Sequence, residues 1–136
     1  MFHFTLIIMR MQQTLFIQAI LNIVKNAQQA VENTENASIT IKSRIKFGKP
    51  INGTIHPTVC SIEIKDNGPG IPNELQDQVF FPMVSVKEQG SGLGLTIAQD
   101  IIRIHGGGII FSSNPGSTVF SIQIPLKLNN KESQIA

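Results

Sequence analysis

The chain has a single cysteine, Cys60, among its 136 residues, so an internal disulfide framework is excluded. Its three histidines (His3, His56, His105) stand far apart and meet no cysteine at metal-ligand spacing, which removes a zinc site. Charge is scarce as well. Charged residues make up 15% of the chain, against ~25% in ordinary soluble domains. The balance of 11 Lys+Arg over 9 Asp+Glu gives +2, too little to argue for a nucleic-acid partner. No apolar run approaches the roughly 18–20 residues of a membrane span. The opening MFHFTLIIMR carries its basic residue after the apolar run and offers no small-residue cleavage site, which argues against a signal peptide. Repeats and low-complexity runs are absent, and only the tail from Leu128 to Ala136 reads as disordered. The expectation is one cytoplasmic domain whose low-charge surface suits a piece that packs on something else.

What is present can build a core, since 41% of the residues are hydrophobic. From Gln13 to about Val31, Phe16, Ile20, Ile23, Val24, Ala27 and Val31 recur at helical spacing. A second stripe on that helix, Gln18, Asn22, Asn26 and Gln29, is polar but uncharged. Asparagine is a mediocre helix former because its amide competes for the backbone, so two of them one turn apart ask for a reason. Ser38 to Phe47 alternates, with Ile39, Ile41, Ile45 and Phe47 on one face and Thr40, Lys42, Arg44 and Lys46 on the other, which predicts a half-buried strand with a solvated basic face. Gly48 to Pro57 reads as a wide loop, and Thr58 to Asp66 as the returning strand with Cys60, Ile62 and Ile64 inward and Ser61, Glu63 and Lys65 outward. A short helix is expected over Asn73–Phe80 and an amphipathic one over Leu93–His105, with Ile97, Ile101 and Ile104 on one face and Gly106–Gly108 as its stop. Ile109–Ser113 and Thr118–Leu126 complete the chain as a hairpin about Asn114-Pro115-Gly116-Ser117. Helices separated by antiparallel hairpins imply a two-layer α/β sandwich rather than a doubly wound fold.

Three features carry candidate chemistry. The Asn22/Asn26 pair offers amide oxygens suited to a hard cation such as Mg2+, and suits helix–helix hydrogen bonding equally. Asp66 shares the inward register of Ile62 and Ile64 and runs into the turn NGPGIP. A carboxylate on the core side is costly without a specific donor. A purine amino group would serve, with Gly68 and Gly70 letting the ring approach; an ordinary Asx-turn is the plainer alternative. Third, GSGLGL from Gly90 to Leu95 opens a helix, where free N–H groups form an anion site. No strand precedes it and no Lys-Ser/Thr follows, so neither a dinucleotide fingerprint nor a Walker-type loop fits.

Taken in order, the Asn-bearing helix, the DxGxG strand end, the Phe80–Pro82 segment and the GxGxG helix start resemble the ATP-binding domain shared by histidine kinases, MutL repair proteins, type II topoisomerases and heat-shock chaperones. The likeness covers about Leu15 to Leu126. LNIVKNAQQA, DNGPGIP, LQDQVFFPMVS, GSGLGLTIA and PGSTVFSIQIPL are most similar to nitrogen-regulation sensor kinases of the NtrB type. The resemblance implies a Bergerat-type fold, a mixed and mostly antiparallel sheet with helices on one face, over residues 13–127, with 1–12 an atypical lead-in and 128–136 a tail. It implies that Asn26 holds Mg2+ on the ATP phosphates and that Asn22 supports the phosphate side. Asp66 then accepts the adenine amino group, Gly68, Gly70 and Ile71 form the adenine wall, and Thr118 reaches the base through its hydroxyl. Phe80 and Phe81 anchor a mobile lid running to about Gln89, and Gly90, Gly92, Leu93 and Gly94 place N–H groups on the phosphates.

ATP-hydrolysing relatives carry a glutamate one turn before the metal-binding asparagine, and here that position is Asn22, which cannot take a proton near neutral pH. The implied activity is therefore phosphoryl transfer: the catalytic domain of a two-component sensor histidine kinase, presenting the γ-phosphate to a histidine on a separate dimerisation domain and through it to a response regulator. Gln29 stands where many histidine kinases have lysine. Lys25 and Lys87 are candidates to meet phosphate, and solvation explains either as well. No histidine here has the acidic neighbour and proline of a phosphoacceptor, so the chain reads as a fragment, a truncated product or a domain acting in trans. The alternatives are a non-catalytic nucleotide-binding regulatory module and a serine kinase of the anti-sigma-factor type.

Overall fold

The computed structural model describes residues 2–81 and 93–126, with side chains from Gln13 onward. Helix α1 spans Phe2–Ala30, strands β1 and β2 span Ile39–Ile51 and Thr54–Asp66, and a single turn of helix, α2, spans Asn73–Gln76. Helix α3 covers Gly94–Ile104, and the described elements end with β3 (Gly108–Asn114) and β4 (Ser117–Pro125). The described strands form one sheet in the order β1-β2-β4-β3, every pairing antiparallel. The tail from Leu128 lies outside the described residues.

The two long helices lie on one face of this sheet. On α1, Ala19, Ile23 and Ala27 are buried with Phe16, Ile20 and Val24 packed around them, the stripe the spacing predicts. On α3 the stripe is rotated from expectation: Ala98, Ile101 and Ile102 are buried, whereas Ile97 and Ile104 face outward. Beneath both helices sit Ile64, Phe120 and Ile122. Phe111 stacks on Phe120 at 5.4 Å between centroids, and Phe80 meets both rings edge-on. Burying a side chain such as Phe120 contributes ~1.5–3 kcal/mol.

Helix α3 stops as expected, on glycine. Gly106 takes φ +76°, its N–H reaches Arg103 O, and Gly107 N–H reaches Ile102 O, a Schellman closure. A Cβ on Gly107 would collide with the backbone carbonyl of Gln123, so the helix end and β4 meet at a point only glycine fits.

The short helix expected over Asn73–Phe80 is only Asn73–Gln76, and three further expectations need correction. The wide loop over Gly48–Pro57 does not exist: β1 continues to Ile51 and β2 begins at Thr54, joined by Asn52-Gly53 with φ of +50° and +85°. Both central residues lie in the left-handed region, the requirement of a type I′ hairpin turn that Asn-Gly meets. Strand β1 is not half-buried, because Ile41 is 54%, Ile45 51% and Phe47 73% exposed on the face that would be inward. Ser61, expected outward, is fully buried, with its Oγ meeting no hydrogen-bond partner. The basic face of β1 is solvated as expected, apart from a 3.5 Å contact of Lys46 with Glu63.

Candidate nucleotide-binding site

The register of β2 with β4 sets Asp66 opposite Thr118 at one end of the sheet. Asp66 is 2% and Thr118 3% exposed, so a carboxylate and a hydroxyl lie side by side in the interior. The inward parity of Asp66 in the sequence is thus the structure's. One carboxylate oxygen, Oδ1, accepts the N–H of Gly68 at 2.9 Å, so the plainer Asx-turn is present too. Burial raises the Asp66 pKa above the ordinary value of 3.8, while the Gly68 hydrogen bond pulls it down.

The turn after Asp66 is fixed from three sides. Asn67 accepts the N–H of Ser38 at 2.8 Å and donates to Asn36 O at 2.9 Å. Gly68 lies so close to the C-terminal end of α1 that a Cβ would come within 2.7 Å of Ala30 O, and Gly68 O accepts the N–H of Gly116 from the β3–β4 turn. Gly70 has φ +89° and abuts the backbone of Asn114. Both glycines are therefore required by the backbone itself, at the positions where the sequence assigns them a wall. Ile71 is half-buried against the core and donates its N–H to Ser113 Oγ at 2.8 Å.

Asn22 and Asn26 are half-buried on α1, on the stretch that packs against α3. The start of α3 comes beside them: a Cβ on Gly94 would lie 4.0 Å from Asn22 Cβ. Leu93 caps that helix and is 40% exposed. Gly90 and Gly92 lie outside the described residues, as do Lys87 and most of the proposed lid. At the lid's start Phe80 is anchored in the aromatic cluster, and Thr96 Oγ1 donates to its carbonyl at 2.9 Å. Phe81, expected to share that role, is 57% exposed. Lys25 is exposed on α1, the solvated reading. His105 donates Nδ1–H to Ile101 O at 2.7 Å and packs on Phe16, a structural role.

A shallow cleft of about 480 Å3 beside this turn is lined by Ala30, Thr34, Asn67 and Gly68 among others. It takes in Gly68 alone of the predicted site residues, and the buried Asp66–Thr118 pair is the more informative feature. No group of three His, Cys, Asp or Glu able to hold a metal occurs among the described residues. A cation at Asn26 would then draw most of its ligands from the phosphates it accompanies, the habit of Mg2+. The residue that sequence reading missed is Ser113. Its signal was there, since a hairpin about Pro115-Gly116 places Ser113 opposite Thr118.

Residues 11–128 match the family described as histidine kinase-, DNA gyrase B-, and HSP90-like ATPases. The chain is 46% identical over 110 residues to the sensory histidine kinase/phosphatase NtrB of Klebsiella oxytoca, covering 81% of this chain and 31% of that one. Against NtrB of Vibrio alginolyticus the identity is 49% over 109 residues, with 80% and 31% covered. Among solved structures, the catalytic domain of histidine kinase ThkA superposes with a TM-score of 0.65 at 34% identity, covering 82% of this chain and 66% of that one. The mycobacterial sensor histidine kinase MprB gives 0.59 at 26% identity, covering 79% and 68%. The chain thus spans about a third of the length of these NtrB relatives.

Proposed function

Because the chain belongs to the histidine kinase-, DNA gyrase B- and HSP90-like ATPase family, we propose that it binds Mg-ATP between α1, the Asp66 turn and the start of α3. From there it presents the γ-phosphate to a histidine on a separate dimerisation domain. The observation that carries this reading is the buried Asp66–Thr118 pair. A carboxylate held in the interior, with the Gly68 N–H on Oδ1, is a strong acceptor for a further donor. The adenine amino group supplies one, and Gly70 and Ile71 give the flat ring a wall.

Mg2+ would supply charge neutralisation on the phosphates, held by the Asn26 amide oxygen, with Asn22 supporting the phosphate side of the pocket. Helix α1 carries no Asp or Glu, so nothing on the asparagine face can take a proton from water. Catalysis then rests on positioning and electrostatics, as in other phosphoryl transfers. The acceptor histidine lies on another domain, and a response regulator takes the phosphate from it. The NtrB names of the relatives support a place in nitrogen regulation, and the setting proposed is the cytoplasm; no described helix is long and apolar enough to cross a membrane.

Calorimetric titration with ATP, with and without Mg2+, on the wild type and on Asn26→Ala tests the site. Magnesium-dependent binding that the variant loses is expected. An absence of binding at millimolar ATP would sink the proposal. Transfer of phosphate to an added acceptor domain separates the kinase from a nucleotide-dependent regulatory module.

A further inference from the structure

Three segments meet on a single oxygen at the edge of the proposed pocket. Ser113, near the end of β3, stands opposite Thr118 in the β3–β4 register, with the two hydroxyl oxygens 2.7 Å apart. The same Ser113 Oγ accepts the backbone N–H of Ile71 at 2.8 Å. Thr118 in turn stands opposite Asp66 across β4 and β2.

A serine hydroxyl has one hydrogen and two lone pairs. With Ile71 donating to one lone pair, the Ser113 hydrogen still needs an acceptor, and Thr118 Oγ1 is the one it meets among the described residues. The reverse arrangement, Thr118 donating to Ser113, leaves the hydrogen of the half-buried Ser113 to solvent alone. Satisfying Ser113 therefore frees the Thr118 hydrogen for the space beside Asp66.

We infer that Ser113 is a positioning residue that fixes Thr118 as a donor and thereby sets the pocket's preference for adenine over guanine. Asp66 accepts and Thr118 donates, so together they match a base edge that presents a donor beside an acceptor. Adenine presents its 6-amino group beside N1. Guanine presents an acceptor, O6, beside a donor, N1–H, and mismatches both partners. The inference rests on the nucleotide-binding reading above and adds the residue that sets the polarity of Thr118.

Calorimetry on the wild type, Ser113→Ala and Ser113→Thr with three probes decides the matter: ATP, GTP, and the ATP analogue in which C–H replaces N1. The wild type should favour ATP over both other probes. Ser113→Ala should narrow each preference by about fivefold, the equivalent of one neutral hydrogen bond, and Ser113→Thr should keep both. If the serine only anchors the turn at Ile71, the alanine variant weakens all three probes in proportion, and the inference is overturned. Equal wild-type affinity for ATP and the N1 analogue overturns it without any variant, even if Ser113→Ala fails to fold. A wild type that binds no nucleotide removes the underlying reading itself, an outcome distinct from unchanged ratios.

Discussion

The inner strands and β1 carry the same alternating pattern and meet opposite fates. In β2 and β4 the helix-facing residues Ile64, Phe120 and Ile122 are buried, while in β1 the residues in matching register, Ile41 and Ile45, stand open to solvent. Alternation fixes which side chains share a face; it does not say which strands have a layer over them. That depends on where α1 and α3 rest, and they rest on the sheet from β2 across to β3. The site sits at the covered end, where a carboxylate can be kept dry. The bare strand carries Lys42, Arg44 and Lys49 along an open edge, the charges that discourage stray strand pairing.

The sharpest test of this contrast exchanges phenylalanines. Phe120→Ala should cost ~3–5 kcal/mol in urea unfolding, by lost transfer energy and a cavity under both helices. Phe47→Ala on β1 should change stability by less than ~0.5 kcal/mol. Comparable losses would mean that β1 is covered in solution.

Next in size is Asp66→Asn. Removing the charged acceptor should weaken ATP binding by roughly 10–100-fold, the worth of a hydrogen bond to a charged group. The pH dependence follows from the raised pKa. The folded carboxyl keeps its proton at pH values where the unfolded one has lost it. Stability of the free domain therefore falls as pH rises from the ordinary value through the raised one, and is steady above it. ATP affinity moves the other way, dropping as pH falls through the raised value, because the protonated carboxyl loses acceptor strength. Asp66→Asn should flatten both profiles, read by calorimetry and urea melts across pH.

The smallest effect belongs to the β1–β2 turn. Gly53→Ala forces a side chain onto φ +85° in open space, at ~1 kcal/mol. Its unfolding midpoint should fall while ATP affinity stays unchanged, since the turn lies at the far end of β2 from Asp66. A change in affinity would show the two ends of the sheet to be coupled.

Much of this was legible in the sequence. Parity on β2 put Asp66 inside, helical spacing gave the buried stripe of α1, and the glycines after Ile104 marked the Schellman stop. The misses have physical causes. Asn52-Gly53 was written in the chain, but the flanking Pro50 and Pro57 argue for a loop; Pro50 pairs with Ile55 all the same, and pairing continues on either side of Pro57. Ser61 is buried because of its neighbours on the sheet, which its own small polar side chain does not announce. Ile97 and Ile104 match the periodicity of a buried face, yet the axis of α3 turns Ala98 and Ile102 to the core instead. The close approach of Gly68 to α1 depends on contacts between distant segments, and no local pattern encodes it.

Strand β4 follows the other six described elements along the chain yet lies inside the sheet, between β2 and β3. Until it emerges from the ribosome, β2 has an open inner edge, β3 has no neighbour, and the apolar faces of α1 and α3 have no Phe120 or Ile122 to close on. Thr118 arrives with that same strand. A nascent chain halted before β4 would hold both asparagines and Asp66 without the strand that sets Thr118 opposite Asp66, so on the proposed reading nucleotide binding would wait for the sheet to close.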